Sequence, residues 1–114
     1  MTGRLTTHAL DLVLGRGAAG LAVQVRRLEP DATDLGLIVL DEGGRGVLAE
    51  GSAFAAGLYE LAFGIGAYHR AAGLADAGAF LEDAPVRFRV KDADLHTHVP
   101  ILVSLYGYSV YRGG

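Results

Sequence analysis

His96-Thr97-His98-Val99-Pro100-Ile101-Leu102-Val103, followed by Ser104-Leu105-Tyr106-Gly107 and then Tyr108-Ser109-Val110-Tyr111-Arg112-Gly113-Gly114, ends the chain and decides how the rest is read. Side chains alternate between the faces of a strand, so Thr97, Val99, Ile101 and Val103 share one face and His96, His98, Pro100 and Leu102 the other. The first set is β-branched and suits a sandwich core. The second places two imidazoles on a strand whose reverse side is apolar. Leu105-Tyr106-Gly107 reads as a turn into a second strand, Tyr108 to Arg112. Arg112 and a terminal carboxylate are then expected near the end of that strand. A titratable face backed by an apolar one points to a lined site or an interface.

Upstream, the same period of two recurs. Leu5 to Val13 is a strand with Leu5, Thr7, Ala9 and Asp11 on one face and Thr6, His8 and Leu10 on the other. Gly15-Arg16-Gly17 is a turn. Gly20 to Leu28 buries Leu21, Val23 and Val25, Leu35 to Leu40 is a short buried strand, and Asp41 to Gly46 is a turn into Val47-Leu48. Leu58 to Ile65 puts Tyr59, Leu61, Phe63 and Ile65 on one side, and Val86, Phe88 and Val90 alternate with Arg87 and Arg89. Ala67 to Ala72 is the helical piece, about two turns closed by Gly73, with His69 expected on its exposed side. About eight short strands and one helix, with 17 glycines among 114 residues, describe an all-β sandwich in a single domain spanning 1–114.

Composition excludes several functions. The net charge is −3, without a basic cluster, so nucleic acid is not an expected partner. There is no cysteine for disulfides or thiolate metal sites. No run approaches the ~20 apolar residues of a membrane helix, and the N-terminal residues lack the pattern of a secretory signal. A soluble cytoplasmic protein is the expectation. Gly43-Gly44 and Gly46 do not form a phosphate loop, because no helix with a Lys-Ser/Thr pair follows.

Several motifs together resemble the transthyretin-like family, specifically its 5-hydroxyisourate hydrolases: the Leu5-Thr6-Thr7-His8-Ala9-Leu10-Asp11 opening, the His96-Thr97-His98-Val99-Pro100 strand, the Tyr106-Gly107-Tyr108-Ser109 turn and the Tyr111-Arg112-Gly113 tail. Supporting similarity runs through Ala19 to Val23, Gly57 to Leu61 and Pro85 to Val90. The resemblance implies a transthyretin-like β-sandwich of two four-stranded sheets with one short helix, assembled as a homotetramer. It implies hydrolysis of a purine-derived substrate, 5-hydroxyisourate, without cofactor or catalytic metal. The non-catalytic alternative in the same family is a small-ligand carrier.

Carried over residue by residue, the resemblance implies catalytic roles for His8, Arg45 and His98, with Tyr111, Arg112 and Gly114 holding substrate. Opening an activated cyclic amide needs a base for water and positive charge where the carbonyl oxygen becomes anionic. Histidine suits the first and arginine the second. Like-charge repulsion among these groups is expected to depress the histidine pKa values and leave one imidazole neutral. His98 is the expected base, His8 its orienter and Arg45 the oxyanion partner. Two imidazoles alone would hold only adventitious metal. His96 is expected to be peripheral. The family tail ends in serine, where this chain has Gly114. One lost hydrogen bond, about 0.5–1.5 kcal/mol, implies a slower enzyme rather than an inactive one.

Overall fold

A computed structural model describes residues 3–114. Among them, nine strands and one α-helix follow the order β1 (Arg4–Asp11), β2 (Arg16–Gly17), β3 (Ala22–Glu29), β4 (Thr33–Val39), β5 (Arg45–Glu50), β6 (Gly57–Phe63), α1 (Ile65–Ala71), β7 (Ala84–Val90), β8 (Thr97–Val103) and β9 (Tyr108–Val110). They form two sheets, ordered β2-β1-β8-β9 with β5 also paired to β1, and β4-β3-β6-β7. The first sheet therefore has five strands rather than four. Gly15-Arg16-Gly17 is more than a turn, because Arg16 and Gly17 pair with Asp11 and Leu10.

The alternation read from the sequence locates the core. Leu5, Ala9, Val23, Val25, Tyr59, Leu61, Phe63, Ile101 and Val103 are fully buried between the sheets, with Val86, Val90 and Val99 nearly so. Thr7 shares that face without cost, since its hydroxyl donates to the Val99 carbonyl at 2.7 Å. The Leu35–Leu40 run departs from expectation. It lies on the edge strand β4, which leaves Leu37 and Val39 facing outward.

Helix α1 ends as expected, with Gly73 at φ 80°. His69, however, is not on its exposed side. It is fully buried, 3.4 Å from the carboxylate of Asp11, which also accepts a 2.8 Å hydrogen bond from the Tyr68 hydroxyl. The helix thus clasps the end of β1. An apolar strand face that ends in Asp11 makes room for a polar helix residue, a pairing that is invisible from the helix alone.

The pairing that positions the site is β1 with β8. These strands run parallel, with Thr6 opposite His98 and His8 opposite Pro100. On the other side of β1, antiparallel β5 sets Val47 opposite Thr6 and Arg45 opposite His8. Beyond β8 the tail returns, with Gly113 bridged to His98. Two adjacent rows result on the outer face: Arg45, His8, Pro100 and, next to it, Val47, Thr6, His98, Gly113.

Candidate functional site: a histidine-lined cavity on the outer sheet face

His98 faces a cavity of about 540 Å³ lined by Arg4, Thr6, Asp41, Arg45, His96 and Gly114, among others. Each wall has a local cause. β1 contributes Arg4 and Thr6 from its outward-pointing positions. β5 brings Arg45, which opens that strand rather than sitting within the preceding turn. The turn itself is tied by Asp41, whose Oδ1 accepts from the amides of Gly43 and Arg45, both at 2.9 Å. Those bonds, the Arg45 amide foremost, hold the Asp41 carboxyl below its ordinary range despite partial desolvation. Gly44, at φ 79°, packs so closely on Ala9 and Ala18 that a Cβ there would meet their backbone.

The same turn decides which ring nitrogen of His8 bears a proton. Its Nε2 lies 2.9 Å from the Gly43 carbonyl. A carbonyl only accepts, so Nε2 carries a proton in either charge state of His8. His8 is therefore directed toward the Arg45 turn, one row from His98.

The opposite wall is the returning tail. The Gly113 amide donates to the His98 carbonyl at 2.8 Å, and a Cβ at Gly113 would stand 2.6 Å from His98 Cδ2. Glycine here lets the backbone lie against the imidazole. Gly114 contacts nothing that a side chain would displace.

His98 has its pKa lowered, first by burial and then by the positive charge of His96, His8 and Arg45. Neighbouring charge was the expected cause, but desolvation leads. The ring is therefore neutral at neutral pH, with Nδ1 bound to Thr6 Oγ1 at 2.8 Å and Nε2 left for a water in the cavity. His96, expected to be peripheral, lines the same cavity and lies 2.9 Å from the same Thr6 oxygen. Sequence reading passed over Thr6, although its place opposite His98 follows once β1 and β8 are paired.

Tyr111 and Arg112 are placed elsewhere. With Arg87, Phe88, Arg89 and Thr97 they line a separate cavity of about 220 Å³ between β7 and the β8–β9 edge. The fold thus sets Arg45, His98 and Gly114 on one cavity with His8 in the neighbouring row, whereas Tyr111 and Arg112 line the other cavity. Among the described residues, no group of three or more His, Cys, Asp or Glu is arranged to hold a metal ion, and no helix is long and apolar enough to cross a membrane.

A neutral imidazole, a neighbouring guanidinium and an accessible cavity can deprotonate a water and receive negative charge on a carbonyl oxygen. Comparison with known proteins points the same way. Residues 5–113 match the model of the HIUase/Transthyretin family. The chain is 55% identical over 117 residues to 5-hydroxyisourate hydrolase 2 of Rhizobium meliloti (strain 1021), covering 98% of this chain and 97% of that one. It superposes on the Klebsiella pneumoniae 5-hydroxyisourate hydrolase with a TM-score of 0.81 at 30% identity, covering 98% and 99% of the two chains. A crystallised (S)-allantoin synthase matches with a TM-score of 0.92 at 37% identity, covering 99% of this chain, which spans 44% of that protein's length.

Proposed function

The chain belongs to the HIUase/Transthyretin family, and from that premise we propose that it hydrolyses 5-hydroxyisourate to 2-oxo-4-hydroxy-4-carboxy-5-ureidoimidazoline in urate degradation. The observation that carries this reading is the neutral His98 imidazole facing a cavity shared with Arg45. A water held at His98 Nε2 gives up a proton as its oxygen attacks the ring carbonyl. The carbonyl oxygen becomes anionic beside the Arg45 guanidinium, whose charge is permanent and whose donors are several. Collapse breaks the ring C–N bond and returns the proton from His98 to the departing nitrogen. His8, its Nε2 engaged by Gly43, orients water or substrate through its remaining nitrogen. Gly114 contributes backbone to the substrate wall.

The active form in this proposal is a homotetramer. Support comes from the apolar side chains clustered at one end of the first sheet: Leu12, Val13 and Leu14 after β1, and Tyr106 and Tyr108 around the β8–β9 turn, all exposed. Leu12 and Val103 are joined backbone to backbone, so these groups form one patch. Such a patch favours burial against another copy. Tyr111 and Arg112 then bind substrate across a subunit contact.

The test adds purified protein to freshly generated 5-hydroxyisourate and follows its absorbance. Acceleration over spontaneous decay is expected. A folded protein that leaves the decay unchanged would sink the proposal.

A further inference from the structure

One hydroxyl stands between two imidazoles. Thr6 Oγ1 lies 2.8 Å from His98 Nδ1 and 2.9 Å from His96 Nε2, the ring centroids being 6.4 Å apart. A hydroxyl has one proton to donate and two lone pairs. It cannot donate to both rings, so at least one ring nitrogen carries a proton toward it. The alternatives differ in chemistry. If Thr6 donates to His98, the neutral His98 carries its proton on Nε2 and has no lone pair for a water. If His98 donates to Thr6, Nε2 bears the lone pair and faces the cavity.

We propose that Thr6 and His96 are positioning residues that hold His98 in its Nδ1–H tautomer. The Thr6 proton goes to His96 Nε2, and Oγ1 accepts from His98 Nδ1–H. The two rings are not equivalent competitors for that proton. His96 is exposed, whereas His98 is half-buried beneath Gly113 and beside Arg45. Arg4 and Arg45 share the His98 cavity, and their positive charge favours a lone pair over an N–H at the cavity-facing nitrogen, which leaves Nδ1 as the donor and His96 as the acceptor. When His98 gains a water proton at Nε2, its Nδ1–H bond to Thr6 becomes charge-assisted and shortens, so the same contact steadies the imidazolium formed during the reaction. The charged groups around His98 are His96, His8 and Arg45, with Arg4 and Asp41 in the cavity wall. No carboxylate pairs with either His98 nitrogen among the described residues, leaving Thr6 as the partner that orients the ring. This inference rests on the hydrolase reading of the site.

Nitrogen-15 NMR of histidine-labelled protein above pH 7.5 reads the tautomer directly. A pyrrole-type Nδ1 and pyridine-type Nε2 are expected at His98 in the unaltered chain. Thr6→Val should shift His98 toward the Nε2–H form and lower kcat on the order of tenfold, with KM held within about twofold. Thr6→Ser should restore both. His96→Phe should weaken the Nδ1–H preference and raise the acid limb of the pH–rate profile. An Nε2–H His98 in the unaltered chain, or a Thr6→Val protein with tautomer and kcat unchanged, overturns the inference. Absence of any turnover in the unaltered chain would instead defeat the hydrolase reading, and the NMR result would still decide the tautomer.

Discussion

His98 performs its part only when neutral, so its pKa sets the acid side of activity. Burial, and then the charges around it, lower that pKa below the ordinary 6.5. Protonation is thereby deferred, and the base stays available at pH 6.5 and above. Activity is lost only as pH falls through the depressed value. The acid limb of kcat/KM should accordingly have its midpoint below 6.5, and a limb at or above that value would contradict the assignment. His98→Ala should reduce kcat on the order of 10²- to 10⁴-fold with the fold intact by circular dichroism. At the tail, Gly113 and Gly114 behave oppositely. Gly113→Ala pushes a methyl group against the His98 ring and should lower kcat. Gly114 has open space around it, so Gly114→Ser should leave the melting temperature unchanged. Adding one hydrogen bond worth about 0.5–1.5 kcal/mol should raise kcat/KM by up to about tenfold, as read in the same absorbance assay.

At the scale of elements, the turn before β5 and the clasp on α1 make separable predictions. Asp41→Ala removes the acceptor for two backbone amides and loosens the turn that carries the Gly43 carbonyl and Arg45. Misplacing a catalytic group by about 1 Å costs on the order of a hundredfold, so kcat/KM should fall well before stability does. Tyr68→Phe deletes a hydrogen bond to a buried carboxylate and should destabilise by about 1.5–3 kcal/mol, seen as a lower urea midpoint. Burial works to raise the Asp11 pKa, but hydrogen bonds from Leu14, Tyr68 and Val13, with the His69 imidazole 3.4 Å away, hold it below 3.8. Its stabilisation is therefore complete above that pH and is lost as pH falls through the lower folded value. Sequence reading reached the strands because alternation reports burial directly, as Leu21-Val23-Val25 and Tyr59-Leu61-Phe63 illustrate. It missed the burial of His69, since a helix of seven residues shows too little periodicity to name its partner. It separated His96 from the site because a strand face does not reveal that Thr6, ninety residues away, supplies the bridging oxygen.

For the whole molecule, the exposed apolar end of the first sheet is where assembly is expected. Leu12→Asp together with Tyr106→Asp should lower the mass measured by light scattering and reduce turnover in parallel, while the far-ultraviolet circular dichroism is retained. Full activity in a monomeric variant would rule out a contribution from a second subunit. One last consequence follows from the parallel union of β1 with β8. The Thr6–His98 contact joins residues 92 positions apart, so closing it carries the closure entropy of nearly the whole chain and comes late among the contacts. A ribosome-bound chain that has not yet released β8 lacks Pro100, His98 and Gly113 from those rows and has no competent base. Recovery of turnover after dilution from denaturant should thus trail the return of far-ultraviolet signal, making the enzyme its own clock for the final zipping of that sheet.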